Sequence, residues 1–184
     1  GYESAIYSSA DGGENWVKIE NGLPSGETIG RMGMAIAPSN PDIMYTIVDN
    51  RTPNGKKGIV GGELYRSNDR GNTWKKAHKD KVPTAIGYDF CLIRVSPDNP
   101  DEVYVLGNKL MRTLDGGKTY SEILGTLVHV QPHQSPVLHL DHHEMWIDPV
   151  NPDRLLLGND GGFHISWDRG DTWMHYNNMP IAGP

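Results

Sequence analysis

Side chains able to do chemistry are most concentrated in the run His139-Leu140-Asp141-His142-His143-Glu144-Met145-Trp146-Ile147-Asp148, where three histidines and three carboxylates fall within ten residues. The run leads into Asn151-Pro152-Asp153 and reads as the first strand of a sheet. On a strand, His139, Asp141 and His143 share one face, and His142, Glu144 and Asp148 share the other. A His-Asp-His face has the donor types of a divalent cation site such as Zn²⁺. Spacing i, i+2, i+4 spreads those donors over roughly 13 Å on a flat strand. Chelation therefore calls for a bulge or for help from His133 or His164. The competing reading is a hydrogen-bonded polar cluster in which His139, His142 and His143 line a ligand surface and no cofactor is required. Asp160, in Gly158-Asn159-Asp160-Gly161-Gly162, is first a tight-turn residue and second a polar group for a pocket. Trp146 and Trp167 offer flat apolar surfaces of the kind that cover a pyranose ring, Trp167 exposed at a variable turn position and Trp146, on the inner strand, read first as packed between blades.

The elements that must hold these residues are written in an internal repeat. The pattern S/T-x-D-x-G-x-x-aromatic occurs four times, at Ser9 to Trp16, Ser67 to Trp74, Thr113 to Tyr120 and Ser166 to Trp173. Its aspartates, Asp11, Asp69, Asp115 and Asp168, follow one another at intervals of 58, 46 and 53 residues. A second pattern, apolar-x-Pro-x-Asn-Pro-Asp, keeps step with it at Ile36 to Asp42, Val95 to Asp101 and Ile147 to Asp153. The last two copies end 14 and 15 residues before the next box aspartate and the first ends 27 before it, which locates an insertion at 50–61, read as an exposed loop. Between the motifs lie short β-type segments, and no run has helical periodicity with caps.

Four short strands in a unit of about 50 residues predict an all-β chain built as a β-propeller of four-stranded blades. In each box the Asp and the Ser or Thr brace a hairpin turn, Gly supplies positive φ, and the aromatic anchors the turn. The four aspartates are accordingly structural. Ile6, Leu64, Leu110 and Phe163, three residues before each Ser or Thr, should face inward. The chain divides into an outer hairpin at 1–23, a blade at 30–80 carrying the insertion, and blades at 87–124 and 137–178. About three and a half blades are present. The expectation is part of a longer propeller, whose remaining blades, or a partner, cover its open edges.

Composition narrows the function classes. The chain is 36% hydrophobic with 22 glycines, an ordinary globular balance, and its formal charge of −6 gives no drive toward nucleic acid or anionic lipid. No run approaches the ~18 apolar residues of a spanning helix. The first residues, Gly1-Tyr2-Glu3-Ser4, are not a signal peptide, so any such peptide lies outside this sequence. The single cysteine, Cys91, excludes a disulfide framework and reads as a small buried hydrophobe. Lys56, Lys57, Lys75 and Lys76 read as solvated surface.

The four boxes resemble the Asp-box, or BNR, repeat of sialidases, sortilin/VPS10 propellers, two-propeller xyloglucanases and propeller-type photosystem II assembly factors. SADGGENWVKIENGLP from Ser9, RMGMAIAPSNPDIMYTIV from Arg31, DHHEMWIDPVNPDRLLLGNDGG from Asp141 and HISWDRGDTWMHYNNMP from His164 resemble a family of large bacterial secreted proteins with sortilin-type repeats. Its members are commonly labelled glycosyl hydrolase by analogy. Leu124 to Leu138 is longer than that family's usual connection into the DHH segment. The resemblance implies a secreted or periplasmic protein. Resemblance to the xyloglucanases puts Glu144 where those enzymes carry an acidic catalytic residue. Glycoside hydrolysis generally uses two carboxylates, with Asp141 the other candidate here or a partner supplied from another blade. Three functions follow as expectations: a binding module for glycan or protein, a glycoside-hydrolase-like enzyme, and a structural or assembly subunit.

Overall fold

The computed structural model describes residues 4–87, 90–128 and 137–176. These form fifteen strands and one short 3-10 turn. Strands β1 (Ile6–Ser8) and β2 (Val17–Ile19) make a two-stranded hairpin. The first full sheet has the order β3 (Ile29–Ile36), β4 (Met44–Pro53), β5 (Ile59–Ser67), β6 (Lys75–Lys76). The second has β7 (Leu92–Val95), β8 (Val103–Leu106), β9 (Leu110–Thr113), β10 (Ser121–Glu122). In the third, β11 (Thr126–Val128) is followed in sequence by β12 (His142–Ile147), β13 (Leu155–Asn159), β14 (Gly162–Ser166) and β15 (Thr172–Tyr176). All neighbours are antiparallel except β11, which adds to the outer edge of β15 in parallel. The range 137–178 therefore omits one strand of its sheet, because Thr126–Val128 supplies the fifth.

The expected strand pattern holds because each second strand carries a buried apolar stretch. Val103–Leu106 is buried at every residue, as a strand covered on both faces must be. The insertion is paired where a loop was expected. Strands β4 and β5 run on to the Pro53–Ile59 pair, and the 3-10 turn Gly55–Lys57 closes the hairpin. Of the four inward positions, Leu64 and Leu110 are buried, while Ile6 and Phe163 are half-buried.

All four boxes fold alike. The Ser or Thr hydroxyl donates to the Asp at 2.7–2.8 Å and accepts the Gly N–H at 2.8–2.9 Å. The Asp also accepts the backbone N–H four residues on, at 2.8–2.9 Å. In the three boxes with Trp, the indole N–H donates to the Gly carbonyl at 2.9 Å.

A backbone bond explains why the two motifs travel together. The N–H following the box aspartate donates to the carbonyl of the Asn-Pro-Asp aspartate, Arg70 to Asp42 at 3.0 Å, Gly116 to Asp101 at 2.9 Å and Arg169 to Asp153 at 3.0 Å. Those donors have positive φ, +58° at Arg70, +72° at Gly116 and +57° at Arg169. Left-handed backbone costs a non-glycine residue roughly 1–2 kcal/mol. From that position each arginine forms ion pairs, Arg70 an exposed one to Asp42 and Arg169 three, to Asp153, Asp98 and the buried Glu102.

The core lies between successive sheets. Ile47 and Leu64 of the first sheet pack on Ile93, Val105 and Met111 of the second. Leu106 and Leu110 of the second pack on Met145, Leu157 and Trp173 of the third. Gly33 lets the innermost strands β3 and β7 approach, since a Cβ there would collide with the Cys91 carbonyl.

Candidate functional site

The histidine-rich run does not start as a strand. Residues 139–141 cross the β8–β9 turn, where the Asp141 N–H donates to Asn108 O and the His142 N–H to Gly107 O, both at 3.0 Å. Asp141 takes φ +63° and accepts from the Asn108 amide at 2.9 Å. Strand β12 begins at His142, and a register shift separates His142 from Glu144. That bulge breaks the expected alternation. His142, Met145 and Ile147 turn inward, while His143, Glu144 and Trp146 are exposed. His142 and Glu144 therefore do not share a face.

The proposed ligand sets separate accordingly. His143 Nε2 lies 2.8 Å from Asp160 Oδ1 and its ring 5.5 Å from that of Phe90. His139 packs on Gly161, where no Cβ would fit, and its carbonyl accepts from the Asn159 amide at 3.1 Å. His139, Asp141 and His143 thus have different partners, and among the described residues no three His, Cys, Asp or Glu side chains converge as metal ligands. His133 lies outside the described residues. Asp160 occupies the two-residue turn between β13 and β14, where Gly162 carries the positive φ, and reaches His143 from it.

Glu144, the carboxylate singled out for catalysis, ion-pairs with Arg94 and accepts the Met145 N–H at 2.9 Å. Arg94 also donates to Met145 O at 2.9 Å. The two side chains thereby satisfy both backbone groups of Met145. Sequence reasoning missed Arg94, although its place was readable: Ala35, Arg94 and Trp146 each stand three residues before the first proline of their Asn-Pro-Asp motif.

At that same repeat position Trp146 is 44% exposed, where packing between blades was expected, because the bulge in β12 leaves Met145 and Ile147 as the inward residues. The Arg154 guanidinium lies 5.8 Å from its ring centroid and is itself ion-paired with Asp148. Trp146, Arg94 and the motif prolines Pro38, Pro97 and Pro149 line a depression of about 220 Å³. Trp167 is exposed on the fourth box, away from this depression's lining.

A second cavity, of about 410 Å³, lies at the start of the run and is lined by His139, Asp141, Leu138, His164 and His175 among others. His164 stacks on His175 with centroids 4.7 Å apart. Burial, then the neighbouring His175, pulls His164 down to about 4. Burial likewise pulls His142 down to about 4, against the attraction of Asp141. Both rings are neutral at pH 7, with Nδ1 buried and unpartnered among the described residues. Cys91 is buried, and burial pushes its thiol up to about 12, so it is no nucleophile.

The sheet order, the repeated box and the inner-strand contacts are now comparable with known proteins. No family model matches the chain, and no curated protein does. Solved structures do. A GH74 xyloglucanase from Xanthomonas campestris superposes with TM-score 0.57 at 16% identity over 83% of this chain and 24% of that one. YCF48 from Cyanidioschyzon merolae gives 0.51 at 19% over 82% and 37%. The GH74 enzyme of Niastella koreensis gives 0.54 at 16% over 79% and 22%. The fold is that of part of a β-propeller. The sheets are its blades, β3, β7 and β12 their innermost strands, and this chain spans between about a fifth and two fifths of those proteins. Likeness at such identity speaks for the propeller fold and for nothing finer.

Proposed function

We propose that this partial propeller is a binding module of an extracytoplasmic protein and engages a glycan or protein ligand through the depression around Trp146. The observation that carries the reading is the exposed indole of Trp146, held by Arg154 among the prolines of three blades. A flat ring fixed at a concave rim contacts a sugar face or a peptide at little entropic cost, because it is already ordered. Glu144 adds a polar group beside this surface: Arg94 and the Met145 N–H both meet its Oε1, and the side chain stays exposed.

The test is affinity electrophoresis of the chain and Trp146→Ala through gels containing soluble polysaccharides, xyloglucan first, beside co-purification from an extracytoplasmic extract. Retardation or a partner that the variant loses about tenfold or more, with its circular dichroism unchanged, is the expected result. A folded Trp146→Ala chain that binds as the parent does removes this surface from the function.

A further inference from the structure

The three full blades obey one rule of register. The residue two past the Asn-Pro-Asp aspartate, Met44, Val103 or Leu155, pairs with the Ser or Thr that opens the box, Ser67, Thr113 or Ser166. Hairpin β1–β2 carries the same box, yet among the described residues β1 has no neighbour on its other edge. Gly12, which corresponds to Arg70, Gly116 and Arg169, meets no Asn-Pro-Asp carbonyl among the described residues.

Exposure at equivalent positions follows the same division. Trp16 is 61% exposed, against 3% for Trp74 and 0% for Trp173. On the innermost strands, Met34 is 48% exposed against 1% for Ile93 and Met145, and Ile36 is 50% exposed against 6% for Val95 and 8% for Ile147. Trp16 and Met34, with Ile6, Ile19 and Met44, line a groove of about 420 Å³ between this hairpin and the first full blade. Apolar side chains that are core in two blades and exposed in a third mark a surface shaped for a missing layer.

We propose that this groove binds a β-hairpin of the chain's own repeat type, apolar-x-Pro-x-Asn-Pro-Asp followed by an apolar strand. Its second strand pairs with Ile6–Ser8 by β-augmentation, the residue two past its aspartate opposite Ser9. Its aspartate carbonyl receives the Gly12 N–H. Its first strand covers Met34 and Ile36. The donor is a segment outside these 184 residues and not a second copy, because hairpins β3–β4, β7–β8 and β12–β13 are each already paired within their own blades. This surface is separate from the Trp146 depression, so either can fail alone.

The experiment titrates the 184-residue chain with a synthetic peptide copying Leu92 to Leu106, whose sequence LIRVSPDNPDEVYVL has the required pattern. Calorimetry should give one saturable site per chain. Tryptophan emission should shift to the blue in the parent and not in Trp16→Phe, and amide exchange of residues 6–12 should slow several-fold. A peptide carrying Val105→Pro, which cannot complete the ladder, should not bind. Absence of binding at millimolar peptide, equal binding of the proline peptide, or burial of Trp16 by concentration-dependent self-association alone would each overturn the proposal.

Discussion

Arg169 accomplishes more than any other side chain that the motifs did not single out. From a left-handed position it joins its own blade's Asp153 to Asp98 and Glu102 of the preceding blade, and Glu102 is 2% exposed. Arg169→Met leaves that carboxylate buried, with the Tyr104 hydroxyl donating to it at 2.7 Å but no cation against it among the described residues. We expect a loss of about 3 kcal/mol in urea unfolding, the range for breaking a buried pair from one side. Arg70→Gly is the contrast. Its pair with Asp42 is exposed and screened by water, and glycine relieves the positive φ, so the urea midpoint should stay close to that of the parent.

The buried histidines set a pH dependence at the same scale. His142 and His164 lie near 4 in the folded chain against an ordinary 6.5, so the unfolded chain takes up protons first as pH falls. Their contribution is complete above about 6.5 and is lost between 6.5 and 4. The box aspartates act lower. Hydrogen bonds from Asn15 pull Asp11 to about 2, and those from Thr73 pull Asp69 down, so their contribution disappears only below the ordinary 3.8. Melting temperature measured from pH 7 to pH 4 should fall, and His142→Gln should flatten the curve whatever it does to stability at pH 7. An unchanged slope would remove His142 from the account.

At the scale of the element, the unit is a blade in which the box turn docks on the Asn-Pro-Asp turn. Asp168 accepts the Thr172 N–H at 2.8 Å, the Thr172 hydroxyl at 2.6 Å and the Ser166 hydroxyl at 2.8 Å. Asp168→Ala removes the acceptor that holds the turn together and should cost about 1 kcal/mol in urea unfolding. Asp11→Ala should cost less, because the first box sits on an open hairpin where water replaces the carboxylate. Equal losses would mean that the box acts by itself and not through docking. The blade pattern was legible because turn chemistry is local: Asp, Gly and an aromatic at fixed offsets specify a hairpin without reference to the rest of the chain. Two elements escaped that reading. The bulge at His142/Glu144 reverses which side chains face out, and β11 joins its sheet through a parallel edge contact with β15, made across 46 residues.

Across the whole molecule, successive blades repeat one interface, and Trp16, Met34 and Ile36 are members of that interface with no blade against them among the described residues. Trp16 and Met34 on one side, and Trp146 among the motif prolines, are two places where exposed apolar side chains line a concavity. The repeat in the amino-acid sequence determined the strand order within blades, the structural role of Asp11, Asp69, Asp115 and Asp168, and the neighbourhood of the candidate site, since each depends on residues close in the chain. Tertiary structure alone decided that Glu144 is held by Arg94, that His139, Asp141 and His143 point to different partners, and that Trp146 is framed by three prolines. Those outcomes depend on where neighbouring innermost strands lie and on one bulge in β12. Contacts between strands some fifty residues apart are set by how sheets pack, and no spacing within one strand encodes them.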